Sequence, residues 1–136
     1  MATLKDVRRI VAKLPGTSAD KDGSSFSVLS RGKPRGLAWV WLERVDPKKP
    51  RKPNPSVLAI RVRDLEEKDR WLAALPDVCF TEPHYNGFPA VLVRLVDITA
   101  ETLRELLTDA WRCQAPPAIV RAFEAERVKV SGTRSI

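Results

Sequence analysis

Histidine occurs once in these 136 residues, as His84, and cysteine twice, as Cys79 and Cys113. Two thiols so far apart cannot supply the disulfide framework of a small secreted domain, nor a CxxC redox or zinc motif. Both read as buried thiols of a reducing compartment. A Ser-His or Cys-His nucleophile would have to use His84, and nothing at local spacing supports one. A glycine-rich phosphate loop, a GxSxG elbow and an HExxH helix are also missing. Cys79, Glu82, His84 and Cys113 make a poorly spaced ligand set, so neither a metal nor another cofactor is expected. No apolar run approaches the roughly 18 to 20 residues of a membrane span, and residues 1–14 form a charged amphipathic segment without the apolar stretch of a signal peptide. These absences leave no catalytic residues to name. They lead to the expectation of a cytoplasmic, non-enzymatic binding protein with no membrane partner.

What the chain does have is the material for one core: 43% of its residues are hydrophobic, in the length of a single domain. Residues 3–126 are expected to form that domain, and residues 127–136, polar and weakly patterned, a flexible tail. Lysine and arginine number 24 against 17 aspartates and glutamates, a net charge of +7. Such a balance favours polyanionic partners, although the acidic residues are interspersed rather than segregated.

Spacing then divides the chain into elements. Thr3 and Asp6 form an N-cap pair, and Leu4, Val7, Ile10, Val11 and Leu14 recur at helical intervals until Pro15-Gly16. A polar stretch, 17–24, leads to a short strand around Phe26, Val28 and Leu29. A turn over 31–36 separates it from a stronger strand over 37–44, and 57–62 is a third. Asp64 with Glu67 caps a second helix. Residues 78–81 and 90–96 are two further strands, joined by a connection holding Asn86-Gly87. Thr99 caps a third helix, whose Leu103, Leu106, Leu107, Ala110 and Trp111 form one apolar stripe. Pro116-Pro117 precedes a last short helix with Ile119, Val120 and Phe123. The fold class is thus α+β, a two-layer α-β-β-β-α-β-β-α arrangement with an antiparallel sheet and the helices on one face.

Such a sheet has a second face. Alternation places Leu58, Ile60, Val62, Val91, Val93 and Leu95 toward the helices, and Ala59, Arg61, Arg63 and Arg94 on the other side. The strand over 37–42 is apolar on both sides, so either Trp39 and Trp41 or their neighbours belong to the open face. Tryptophan with arginine suits base stacking and phosphate contact, and equally a protein interface. The densest charge is the arm Lys48, Lys49, Arg51 and Lys52, interleaved with Pro47, Pro50, Pro53 and Pro55. Repeated proline is expected to keep it extended and out of a paired strand, with its cations pointing outward.

The run from Thr81 through Pro83, His84, Tyr85, Gly87 and Pro89 to Leu95, followed by Leu103, Leu107 and Ala110-Trp111-Arg112, resembles the MmcQ/YjbR family. So do the opening helix ending in Leu14-Pro15-Gly16 and the strand 58–62 before a charged helix. The resemblance covers most of the chain, from Thr3 to about Phe123. It implies the same two-layer fold and a DNA-binding role through a double-wing surface, and it carries over no catalytic residue. The motif residues are His84, Tyr85, Gly87, Pro89 and Trp111. The residues expected to contact DNA are Arg31, Lys33, Arg35, Lys48, Lys49, Arg51, Lys52, Arg61, Arg63 and Arg94. The alternative is a protein-interaction or small-ligand module that uses the open sheet face, with a homodimer among its forms.

Overall fold

In the computed structural model, which describes residues 2–44 and 46–134 (side chains to Glu126), the chain opens with α1 (Leu4–Ala12). The Thr3 backbone N–H donates to the Asp6 carboxylate at 2.9 Å, so the expected cap is present. Strands β1 (Thr17–Ala19), β2 (Ser25–Ser30), β3 (Lys33–Glu43) and β4 (Lys52–Arg61) follow. Then come α2 (Leu65–Ala74), β5 (Cys79–Phe80), β6 (Ala90–Arg94), α3 (Ala100–Gln114) and α4 (Pro117–Arg134). The six strands form one antiparallel sheet in the order β1-β2-β3-β4-β6-β5.

All four helices contribute to a single apolar layer against one face. Val7, Ile10 and Val11 of α1 meet the α3 stripe and the inward residues Val28, Leu58, Ile60, Val91 and Val93. Trp71, Leu72 and Leu75 of α2 and Ile119, Val120 and Phe123 of α4 pack at its edges. Trp111 lies at the centre with no exposed surface, and its Nε1–H donates to the Pro15 carbonyl at 2.8 Å. That bond joins α3 to the chain that leaves α1.

Four local expectations differ from the structure. Residues 17–19, read as part of a polar stretch, add the edge strand β1, which pairs with β2. The turn between β2 and β3 is two residues, Arg31-Gly32, rather than six. Both have positive φ, 53° and 77°, the conformation of the tight hairpin turn that matches strand twist. The third difference concerns the arm: Lys52 and Pro53 pair with Glu43 and Leu42, so its second half is strand. Two features admit the prolines. The ladder slips between Val40 and Trp41, where the β4 partner jumps from Leu58 to Asn54 and leaves Pro55 out of register. Beyond Val57, the partner of Arg94, β4 no longer has β6 beside it. Proline is tolerated at such bulges and edges. Fourth, α4 carries the backbone to Arg134, past residue 127 where a tail was expected; its Ala and Glu all lie before that point, so the later residues continue a helix begun upstream. Ser135 and Ile136 of that tail lie outside the described residues.

Candidate functional site

The face without helices carries a second, smaller apolar layer. A row across the sheet runs Trp39, Ala59, Leu92 and Phe80, one residue from each of β3, β4, β6 and β5. Ala59 and Leu92 are fully buried although no helix covers them. Their cover is aromatic, from Trp39, Trp41, Phe80 and Tyr85. The rings meet edge to face: Trp41 with Phe80 at 5.6 Å, Trp39 with Phe88 at 6.3 Å, and Tyr85 with Phe88 at 6.2 Å between centroids. Such contacts add stabilisation beyond the area they bury. Trp39 Nε1–H donates to the Tyr85 hydroxyl at 3.0 Å. Trp41 Nε1–H is buried and has no hydrogen-bond partner among the described residues.

Two arginines close this layer. Arg61 lies over the Phe88 ring, 5.6 Å from its centroid, and Arg94 over Phe80 at 4.1 Å. Both were expected on this face and both are there. Arg63 is not, because β4 ends at Arg61. Arg63 instead opens the approach to α2, where it pairs with Asp64 at 3.4 Å and Glu67 at 3.8 Å. The Glu67 backbone N–H, more than Arg63, holds the Asp64 carboxyl below its ordinary pKa.

The connection from β5 to β6 supplies Tyr85 and Phe88. It makes a single 3-10 turn over Pro83–Tyr85, with the Glu82 side chain accepting from the His84 backbone N–H. Gly87 has φ 78°, a conformation that favours glycine, and the Pro89 carbonyl accepts from the Val62 N–H at 2.9 Å. The His84 side chain itself is exposed. Beneath the connection lies Lys68, 4% exposed, whose ammonium donates to the Tyr85 carbonyl and, at 2.9 Å, to that of Phe88. Burial lowers its pKa. Lys68 was not singled out from the sequence, yet it holds the motif segment onto the domain. Its signal was a lysine at stripe spacing with Leu72 and Leu75 on α2.

The expected DNA-contact residues fall into separate groups. Arg31, Lys33 and Arg35 are exposed at the β2–β3 turn. Lys48, Lys49 and Lys52 are exposed at the β3–β4 loop, with half-buried Arg51 donating to the Leu42 carbonyl at 3.0 Å. These tips lie at opposite ends of the 11-residue β3, roughly 33 Å apart at the usual rise per residue. Among the described residues, none of these seven cations lies within 4 Å of a carboxylate. Near the loop, a groove of about 460 Å³ opens on the aromatic face. Ser24, Ser25, Trp39, Val40, Trp41, Leu42, Arg51, His84 and Tyr85 line it.

Neither cysteine is part of the aromatic layer. Cys79 is in the main core, where burial raises its thiol to about 11, and Cys113 on α3 is raised in the same direction by burial while its Sγ donates to the Ala110 carbonyl. Among the described residues, no three His, Cys, Asp or Glu side chains gather as a metal site would require, and no helix is long and apolar enough to cross a membrane.

This chain is 41% identical over 134 residues to the uncharacterized proteins Rv2570 and MT2646 of Mycobacterium tuberculosis and Mb2600 of Mycobacterium bovis. The matches cover 92% of this chain and 98% of theirs. The chain belongs to their family. No family model matches it. Among solved structures it is similar to protein DR2400 of Deinococcus radiodurans, a DUF419 domain, with a TM-score of 0.57 and 26% identity over 82% of this chain and 77% of that one. The DUF419 domain is the MmcQ/YjbR-type fold, so this chain has the architecture that the hairpin motif implied. Within that fold, His84, Tyr85, Gly87 and Pro89 build the cover of the aromatic face, whereas Trp111 belongs to the core beneath the other face.

Proposed function

We propose that this domain is a non-enzymatic DNA-binding protein of the MmcQ/YjbR type that grips the phosphate backbone through its two basic hairpin tips. The observation that supports this reading is the pair of cation clusters at the two ends of β3, whose charged groups form no ion pair among the described residues. Their separation of roughly 33 Å is close to one turn of B-form DNA, about 34 to 36 Å, so each tip meets phosphate on the same side of the duplex. Lysine and arginine that already hold carboxylates would lose one partner in gaining another. These seven do not face that exchange. Arg63, paired with Asp64 and Glu67, drops out of the contact set.

The test is electrophoretic titration of random duplex at two salt concentrations. With Lys48, Lys49, Arg51 and Lys52 replaced by serine, about four phosphate contacts go, and the slope of log affinity against log salt shrinks by roughly 3 to 4 units. An unchanged slope clears the loop and leaves the task to Arg31, Lys33 and Arg35. A parent protein without salt-sensitive binding to nucleic acid ends the proposal. The second reading, an interaction module on the open face, then takes over. It is favoured by Leu42, 51% exposed, and Phe88, 39% exposed, at the margin of the aromatic layer.

A further inference from the structure

The groove on the aromatic face shares only Arg51 with the phosphate contacts above, and its lining is selective. Of its nine residues, Arg51 is the only permanently charged one and none is acidic. Trp39, Trp41, Tyr85 and His84 give it aromatic walls, and Ser24 and Ser25 add small hydroxyls at one side. A cationic ligand would find no counter-charge there. A flat, uncharged ring joined to an anion fits both halves of the site: the ring against the aromatic walls, the anion against Arg51. At about 460 Å³ the groove is within the usual range for small-ligand sites, roughly 300 to 1,000 Å³.

Chain continuity narrows the occupant further. Arg51 belongs to the same hairpin loop as Lys48, Lys49 and Lys52, whose ammonium groups are exposed and have no carboxylate within 4 Å among the described residues. A phosphate held at Arg51 is thus followed by three further cations along the loop. A base inside a duplex is stacked on both faces and cannot enter such a groove, whereas an unpaired base can, and aromatic stacking accepts any base.

We propose that the groove between Trp39, Trp41, His84 and Tyr85 receives one unpaired nucleobase of a single nucleic-acid strand, with Arg51 on its phosphate and the lysines of the loop on the phosphates that follow. This rests on the nucleic-acid reading above and deepens it from duplex backbone to single-strand recognition. Lys68 and the Trp39–Tyr85 hydrogen bond hold the walls in place before any ligand arrives.

The experiment compares three probes on the full chain by fluorescence anisotropy at matched salt: a twelve-residue oligothymidylate, an abasic strand of the same length, and a random duplex. One stacked base is worth about 5- to 160-fold in affinity, so the oligothymidylate binds tighter than the abasic strand by a factor in that range. His84→Ala, a change at an exposed side chain, narrows that gap. Equal affinity for oligothymidylate and abasic strand overturns the base site but leaves phosphate binding standing. Salt-insensitive binding, or none, with all three probes overturns both proposals. A gap that persists undiminished in both His84→Ala and Trp41→Leu places the base elsewhere and also overturns the assignment.

Discussion

The two faces of this sheet bury apolar surface by different means. Toward the helices, Leu58, Ile60, Val91 and Val93 are aliphatic and fully buried beneath Trp111 and the α3 stripe. On the opposite face, alternate residues of the same strands, Ala59 and Leu92, are equally buried, but their cover is a thin layer of half-exposed rings topped by two arginines. Cover by helices excludes water and partners alike. Cover by rings excludes water from the floor yet leaves ring surface, and a groove, for something else. With the groove as a nucleobase site, as proposed, stability and recognition would divide between the faces of one sheet, even where residue burial alone looks the same.

The largest effect that separates the faces is expected at Trp111. Trp111→Ala leaves a cavity at the centre of the helix-covered core and removes the bond to the Pro15 carbonyl, at a cost of about 3 to 5 kcal/mol in denaturant unfolding. A variant that unfolds like the parent but loses nucleic-acid binding would reverse the assignment of the two faces. Next comes the anchor between the faces. Lys68→Met strands the Tyr85 and Phe88 carbonyls, costs about 1 to 3 kcal/mol, and speeds amide exchange across residues 83–88 more than in the core. Uniform acceleration throughout the domain would instead make Lys68 a part of the main core. The smallest effect is on the aromatic face itself. Trp39→Phe keeps a ring but deletes the bond to the Tyr85 hydroxyl, and should cost about 0.5 to 1.5 kcal/mol while weakening single-strand binding more than duplex binding.

Much of this division was legible in the sequence, because the period of two in β4 and β6 assigns each residue to a face without any knowledge of partners. Leu58, Ile60, Val91 and Val93 on one side, with Ala59, Arg61 and Arg94 on the other, follow from alternation alone. The α3 stripe and the caps at Thr3, Asp64 and Thr99 are likewise local, and they stand as expected. What was not legible depended on a second segment. β1 has no apolar pattern of its own, being polar and exposed at an edge, and exists only by pairing with β2. Lys52 and Pro53 became strand because a register slip admitted them, and a slip is a property of two chains, not one. Arg63 was assigned by extending an alternation one step past the end of β4. Lys68 was overlooked because its two acceptors are backbone carbonyls, which carry no residue type to read.

The turn at Arg31-Gly32 has an evolutionary side. Arg31 sits at φ 53°, where a residue other than glycine, asparagine or aspartate holds the backbone at a cost of about 1 kcal/mol. Glycine or asparagine would relieve that strain and would also remove one of the three cations at this tip. If this tip grips phosphate as proposed, folding and binding pull this position in opposite directions. Lineages under heat or other folding stress should drift toward Asn-Gly here, whereas those under selection for binding should retain the strained arginine.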